Sequence, residues 1–523
     1  MRLTFLILAA ALTLPACAAR QSEVKAPAFS SAAGAEANTE AALRRIAALN
    51  PRVNAVIATD PTALDQARAL DRAAPRGPLF GMPILIKDNI EMSGPLPTTA
   101  GSLALIDNVT NRDAPLVARL KAAGAVIVGK TNLSEWANIR DNNSISGWSA
   151  VGGQTRNPHA LNRNPCGSSS GSGAAVAAGM VPTAIGTETD GSITCPASIN
   201  GIVGFKPTVG MVSRTHVVPI SHSQDTAGPM TLTVRDAALV LSAMAGSDPA
   251  DPATKEADGH RADFAADLST ESLRGARIGV LRFATGFGTN EVFEAALQTL
   301  KAEGAVLVDI DKFEAREEMG SNEFKVLLTE LKADLNAYLA TTPPSVKTRT
   351  LAGVIAFNKA HADEELALFG QATFEEAEKT KGLDDSEYKK ARETSYRLAG
   401  PEGILRMLRE HKLDALVSPT VAAAWLIDAV HGDMYPGGGA GGLAAVAGYP
   451  HLTVPMGSVK GLPVGLSFIG PQWGDALILS LGYDYEQASR KREEPRFLPS
   501  VEESEAVAPH LRPLREQQAK PKR

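Results

Sequence analysis

The sequence predicts an α/β protein, because short apolar segments alternate with amphipathic ones along most of its 523 residues. The pattern is clearest from about residue 274, where "ARIGVLRF" is typical of a buried strand, "NEVFEAALQTLKAEG" has helical apolar spacing and "AVLVDI" returns to a strand. An apolar content of 44% and a charged content of 21% are ordinary for a globular protein and sufficient for a large core.

The amino terminus is predicted to be a cleaved export signal. Arg2 precedes the apolar run "LTFLILAAALTL", which is too short to span a bilayer, and small residues follow it. We assign residues 1–19 to the signal peptide and the small, polar residues 20–37 to a linker. "LPAC" resembles a lipoprotein box that would leave Cys17 lipidated, whereas the same stretch also fits ordinary A-x-A processing. Either route predicts an exported bacterial protein, periplasmic or lipid-anchored to a membrane facing the periplasm.

A single domain is predicted over residues 38–500, followed by a charged tail at 501–523. Its first helix, "NTEAALRRIAALN", has Asn38 or Thr39 as the expected N-cap. The segment "GMPILIKDN" is predicted to be a buried strand, and "DALVSPT", "HLTVPMG" and "PVGLSFIG" are predicted to be later strands. Residues of about 290–410 are predicted to be mainly helical and to shape the substrate pocket.

Composition and motifs argue against several classes of protein. The net charge of −6 and the pI near 5.9 provide no basic surface for nucleic acid. The nine histidines are scattered and no zinc-type spacing occurs, so we expect neither a metal nor another cofactor. "GAVIVGKT" (124–131) matches a phosphate-binding loop with Lys130, but its β-branched residues indicate a strand instead. "GGGAGG" (437–442) matches a dinucleotide pattern, but it follows "MYP" instead of a strand, so we interpret it as flexible backbone beside a ligand.

Two serine motifs remain as candidates for a nucleophile. "GSSSG" (167–171) centres on Ser169 in the pattern of a nucleophile elbow, but the strand that should precede it is absent. "VPTAIGTETDGSITCP" runs from an apolar strand into a turn that ends at Ser192, where Gly191 permits backbone N–H groups to converge as in an oxyanion hole. A serine needs a base, and Lys87 at the end of a buried strand is a candidate because burial lowers a lysine pKa.

Three separated motifs together resemble the amidase signature family of Ser-cis-Ser-Lys hydrolases. They are "IKDN" with Lys87, "PCGSSSGSGAAVAAG" with Ser168 and "GTETDGSITCPASINGIVGFKPTVG" with Ser192, in the expected order and with the expected separation of the serines. The resemblance covers about residues 38–492. It implies the amidase signature fold, a large central mixed β-sheet flanked by helices on both faces.

The resemblance also implies residue roles. Ser192 would be the nucleophile, Ser168 the residue that passes its proton, and neutral Lys87 the base. The implied oxyanion hole consists of backbone N–H groups at Thr189, Asp190 and Gly191.

The two cysteines of the domain, Cys166 and Cys195, would lie close together if the serine loops converge. From the residues alone two outcomes are open, a pair of buried thiols or one disulfide bridge.

The sequences of the two serine motifs most resemble those of bacterial peptide amidases, which remove ammonia from C-terminal peptide amides. The chain has Asp190-Gly191-Ser192 and Thr194 where the family at large favours Gly-Gly-Ser and an arginine. Amidases of other small, fatty or aryl amides are one alternative, and a catalytically inactive binding protein is another. A cytosolic amidotransferase subunit is disfavoured by the export signal. We expect a small-molecule or peptide amide substrate and no obligatory protein partner.

Overall fold

The computed structural model describes residues 31–73 and 77–513. The predicted signal peptide with Cys17, and the outer parts of the predicted linker and tail, lie outside these residues. No helix among the described residues is long and apolar enough to cross a membrane.

Eleven of the thirteen strands in the described residues form one sheet in the order β1-β3-β2-β6-β8-β7-β12-β13-β11-β9-β10, and β4 and β5 form a separate pair. The strands are β1 (Val56–Thr59), β2 (Pro83–Lys87), β3 (Val126–Thr131), β4 (Trp148–Ser149), β5 (Gly153–Gln154), β6 (Thr183–Glu188), β7 (Val203–Lys206), β8 (Thr226–Thr231), β9 (Arg277–Leu281), β10 (Val306–Ile310), β11 (Ala415–Pro419), β12 (His451–Val459) and β13 (Leu462–Ile469). Strand β2 runs parallel to β3 and β6, whereas β6 runs antiparallel to β8. The sheet is therefore mixed, as the resemblance implies.

Helices cover both faces of this sheet. They are α1 (Ala35–Val53), α2 (Ala63–Asp71), α3 (Pro115–Ala122), α4 (Ser170–Ala177), α5 (Thr194–Ile199), α6 (Val234–Met244), α7 (Ala257–His260), α8 (Asn290–Ala302), α9 (Arg316–Ala340), α10 (Leu351–Ala360), α11 (Ala362–Glu365), α12 (Ala372–Glu378), α13 (Ser386–Ala399), α14 (Leu405–His411), α15 (Gly441–Ala447) and α16 (Asp475–Ser489). In β2, Ile84 and Ile86 belong to one buried apolar cluster and Leu85 to another. Because successive side chains of a strand point to opposite faces, the sheet has a core on each side, and the predicted fold class is confirmed.

The "GAVIVGKT" segment forms strand β3, as predicted, and it makes no phosphate loop. The Lys130 ammonium is buried and donates to Ile90 O at 2.6 Å and to Thr98 Oγ1 at 2.7 Å, with Asp88 Oδ1 at 3.5 Å. Lys130 thus fixes the chain that follows β2.

The predicted N-cap of the first helix is wrong. Helix α1 begins at Ala35, one turn before Asn38 and Thr39, because the N–H groups of Ala35 and Glu36 donate to the Asp71 carboxylate at 2.8 and 2.9 Å. A carboxylate at the end of α2 thereby replaces a local cap, which a scan of neighbouring residues does not reveal.

The region predicted to be mainly helical contains α8 to α13 and most of α14, with strand β10 between α8 and α9. Helix α8 packs on the sheet. Helices α9, α10 and α12 form a layer over the chain that follows β2, where they share a buried apolar cluster with Ala100, Ala104 and Leu105. Tyr338 OH donates to Glu91 Oε1 at 2.8 Å, and Leu103 N donates to Glu365 Oε1 at 2.7 Å. Buried polar contacts therefore hold this layer in place.

A cluster of His222, Glu330 and Asp334 joins helix α9 to the loop before β8. Its ligand-type atoms lie within 4.8 Å of one another, and the His222 ring nitrogens are 2.9 Å from Asp334 Oδ2 and 3.4 Å from Glu330 Oε1. Each ring nitrogen of His222 thus lies close to a carboxylate oxygen, an arrangement that favours the protonated, positively charged ring. The hydrogen bond to Asp334 is the main cause that raises the pKa of His222, aided by the Glu330 charge and opposed by burial and by Arg214.

We expect His222→Gln to destabilise the protein more at pH 6 than at pH 9. A histidine whose pKa is raised by folding stabilises the folded state, and this contribution is at its maximum below the unfolded-state pKa of about 6.5. The contribution is lost as the pH rises through the folded-state pKa. Because the His222 side chain is 45% exposed, the extra loss at pH 6 should be only about 0.5–1 kcal/mol. Urea unfolding at both pH values measures it, and equal losses would show that the ion pair contributes nothing.

Candidate active site

Lys87 is the last residue of β2 and lies in the interior, as the sequence predicted. Its Nζ donates to Ser168 Oγ at 2.7 Å, to Thr187 Oγ1 at 2.8 Å and to Thr187 O at 3.3 Å. Strand β6, which carries Thr187, is the parallel neighbour of β2. The sheet therefore places the amine directly against the loop that contains Ser168.

Burial lowers the pKa of Lys87 to about 7, against the opposing charges of Asp225 and Glu188. Near neutral pH a large fraction of the amine is unprotonated and carries a free lone pair. Such an amine can accept a proton from a hydroxyl group in contact with it.

Ser168 is fully buried in the loop between β5 and α4, and the peptide bond from Gly167 to Ser168 is cis. A Cβ atom on Gly167 would lie 2.0 Å from Ser134 Oγ, and one on Gly171 would lie 2.2 Å from Ala55 O. Both glycines are therefore required by close packing, which fixes this loop.

Ser192 lies in the turn between β6 and α5. Glu188 Oε2 accepts from Ile193 N at 2.7 Å and from Thr194 N at 2.9 Å, so it caps the start of α5. Gly191 has φ of 76°, a conformation that favours glycine. Ser169 N donates to Ser192 O at 3.1 Å, which joins this turn to the loop of Ser168.

The backbone of the Ser192 turn presents unused donors. Within the described residues, the N–H groups of Thr189, Asp190, Gly191 and Ser192 donate to no protein acceptor. Unpaired N–H groups at one turn are suited to an oxyanion.

A second set of polar contacts supports this turn. Thr189 Oγ1 donates to Asp225 Oδ1 at 2.6 Å, and Gln224 Nε2 donates to Thr189 O at 3.3 Å. Burial raises the pKa of Asp225 to about 6, against hydrogen bonds from Thr189 and from two backbone N–H groups. Sequence reasoning missed these supports, because "SHSQDT" carries no motif and reaches the turn only through the pairing of β8 with β6.

The structure brings the predicted residues into one place, although not all of them touch. Lys87 and Ser168 share a direct hydrogen bond. Ser192 contacts the Ser168 loop through its backbone carbonyl, which accepts from Ser169 N. The hydrogen bonds of the described residues include none between the two serine side chains.

A disulfide bridge joins Cys166 to Cys195. Of the two outcomes left open by the sequence, the structure shows the bridge. Cys166 lies two residues before Ser168, and Cys195 lies three residues after Ser192 in the first turn of α5. The bridge therefore ties the two serine loops to each other.

A cavity of about 300 Å³ opens beside Ser192, with Gly191, Thr194 and Cys195 in its wall. Helix α9 and the glycine run at 437–442 form much of the remainder. Within that run, a Cβ on Gly439 would lie 1.8 Å from Pro419 O. The run thus lines a cavity of ligand size, and close packing explains one of its glycines.

A family model described as Amidase matches residues 37–479 of the chain. The chain belongs to the amidase signature family. This amidase is 40% identical over 473 residues to a probable amidase of Arabidopsis thaliana, with 87% of each chain covered. Like other members of the family, the protein described here hydrolyses amide carbon–nitrogen bonds.

Two solved structures are also similar to this amidase. The native peptide amidase from Stenotrophomonas maltophilia is 51% identical, with a TM-score of 0.84 and coverage of 89% of this chain and 95% of that one. A peptide amidase in complex with the competitive inhibitor chymostatin is 52% identical, with a TM-score of 0.85 and coverage of 88% and 96%. A small-molecule or peptide ligand fits such a fold.

If Lys87 is the base, kcat/KM for an uncharged amide should rise with pH and level off above an apparent pKa of about 7. The rise reflects loss of the proton from Lys87, because only the neutral amine can accept the proton of a serine. Initial rates between pH 5 and 9 measure the profile. A profile that is flat across this range would exclude Lys87 as the titrating group.

Proposed function

We propose that this amidase is an exported serine hydrolase that converts C-terminal peptide amides to the acid and ammonia. The contact between Lys87 Nζ and Ser168 Oγ at 2.7 Å, beside the turn of Ser192, carries the chemical part of the proposal. The similarity to two peptide amidase structures supports the substrate.

The proposed reaction begins with attack of Ser192 Oγ on the amide carbonyl. Ser168 receives the proton of Ser192 and passes its own to Lys87, which the hydrogen bond between them permits. The free N–H groups at Thr189, Asp190, Gly191 and Ser192 hold the oxyanion. Each such donor is typically worth about 100- to 1,000-fold in rate. The proton returns through Ser168 to the leaving ammonia. Water then cleaves the acyl-enzyme by the same route.

Export is the second part of the proposal. It is supported by the predicted signal peptide and by the bridge between Cys166 and Cys195, since disulfides persist in oxidising compartments. Fractionation of the native host, with and without Cys17→Ala, tests it. Periplasmic protein in both cases supports export without lipid, and release from the membrane by the variant supports an anchor.

Ammonia release from a panel of amides tests the chemistry, with Ser192→Ala as the matched variant. The panel contains N-acylated dipeptide amides, short fatty amides and aryl amides. Turnover of the peptide amides that Ser192→Ala abolishes supports the proposal. Turnover of only the fatty or aryl amides would replace the substrate and keep the mechanism. Failure to turn over any of them would favour an inactive binding protein.

A further inference from the structure

Two carboxylates face the cavity beside Ser192 without an ion-pair partner. Asp190 is exposed to the cavity, and Glu323 on α9 is 8% exposed. Within the described residues neither takes part in a salt bridge, and Glu323 has one hydrogen bond, from Gln224 Nε2 to Oε1 at 2.9 Å. The cavity walls remove part of the hydration of both groups. This loss raises the pKa of both carboxyls, and the pKa is raised further by Glu188 for Asp190 and by Asp190 for Glu323. A cation bound between the two acids would relieve this repulsion and stabilise their ionised forms.

A third acceptor lies in the same wall. His451 Nε2 is 2.6 Å from Ser467 Oγ, which itself donates to Thr420 Oγ1 at 2.9 Å. Nε2 must therefore carry the hydrogen, and Nδ1 is left as an acceptor. Within the described residues this buried Nδ1 has no hydrogen-bond partner. Burial lowers the pKa of His451 to about 3, so the ring is neutral.

The cationic side chain in this wall, Arg316, is engaged elsewhere. Its Nη2 donates to Gly439 O at 2.8 Å and to Gly438 O at 3.5 Å, so it supports the glycine run. The charges of the buried Lys206 and of Arg316 lower the pKa of Asp190, but burial and Glu188 outweigh them. The wall thus offers unpaired acceptors, and a ligand rich in N–H donors would satisfy them.

We infer that the cavity binds a cationic group of the amide substrate, an ammonium or a guanidinium, between the carboxylates of Asp190 and Glu323. This inference rests on the proposed function, because the cavity adjoins the proposed nucleophile. An amide could supply the cation from a free α-amino group or from a lysine or arginine side chain. The cavity of about 300 Å³ is large enough for a group of that size.

Calorimetric binding to the Ser192→Ala protein tests the inference without turnover. N-acetyl-lysinamide is compared with N-acetyl-norleucinamide, which lacks the side-chain ammonium, and leucinamide is compared with N-acetyl-leucinamide, which lacks the α-ammonium. We expect the cationic member of one pair to bind about 10-fold tighter or more. The pair that shows the preference identifies the source of the charge. Equal affinity within both pairs would overturn the inference.

Glu323→Gln, added to Ser192→Ala, should reduce that preference to about 2-fold, because the amide keeps the hydrogen bond to Gln224 and removes the charge. The matched control is Glu317→Gln, an exposed residue of the same helix, which should leave the preference unchanged. A preference that survives Glu323→Gln contradicts the assignment.

Turnover of N-acetyl-norleucinamide by the protein with Ser192 intact separates this inference from the proposed function. Turnover without a cation preference would leave the proposed function standing and remove the cation site. A cation preference in binding without any turnover would support the cation site and contradict the proposed function. Glu317→Gln alone should keep kcat/KM for this neutral amide within about 3-fold of the unsubstituted protein, because this exposed residue lies outside the cavity wall.

Discussion

Lys87→Met should lower kcat/KM for a peptide amide by about 1,000-fold or more while the protein remains folded. The change removes the group that we propose accepts the serine proton, and general bases of this kind contribute about 100- to 10,000-fold. The lost hydrogen bonds to Ser168 and Thr187 should cost about 1–2 kcal/mol of stability, since methionine fills the same space. Steady-state kinetics and urea unfolding measure the two effects.

Lys130→Met is the matched control for this substitution. Lys130 is equally buried on the adjacent strand β3, but it pairs with the buried Asp88 carboxylate. Its loss leaves that charge unpaired and should cost about 3–5 kcal/mol of stability. If Lys87→Met retained activity within tenfold of the unsubstituted protein, the proposed base would be wrong.

Replacing both bridged cysteines with alanine should lower the free energy of unfolding by about 3–4 kcal/mol. The bridge closes a loop across a sequence separation of 29 residues, and the chain entropy of such a loop gives this magnitude. We also expect kcat to fall by about 10-fold, because the bridge joins the loops of Ser168 and Ser192 and small displacements of reacting groups cost rate. Urea unfolding and ammonia release measure both.

Treatment with a reductant separates the role of the bridge from that of the cysteine side chains. Reductant should lower the activity of the unsubstituted protein towards that of the Cys166→Ala/Cys195→Ala protein and leave the latter unchanged. If reduction that breaks the bridge leaves kcat unaltered, the bridge contributes to stability alone.

The sequence predicted those parts of the fold and site that depend on neighbouring residues. Apolar runs predicted the strand that carries Lys87 and the strand that ends just before Thr189. The serine motifs are recognisable because each is a short, contiguous sequence pattern. The fold class followed from the alternation of strands and helices. The structure confirms these elements and the contact between Lys87 and Ser168.

The parts that the sequence did not reveal depend on distant segments. Asp225 supports the turn that carries Ser192 only because β8 inserts between β6 and β7, and nothing in the order of the chain indicates that insertion. Glu323 reaches the cavity from α9, more than 100 residues after Ser192 along the chain. The start of α1 likewise depends on a residue that is distant in sequence, because Asp71 accepts the hydrogen bond of Ala35 N.

Much of the cavity wall comes from a part of the chain that does not carry the proposed reacting groups. Lys87, Ser168 and Ser192 all precede residue 200, whereas helix α9 and the glycine run at 437–442 come from the second half of the sequence. If the proposed function is right, substitutions in the later segments should alter which acyl group is accepted while the proposed catalytic groups stay intact. In protein engineering, a library confined to residues of α9 and to the chain that flanks the glycine run would be the natural route to new amide preferences.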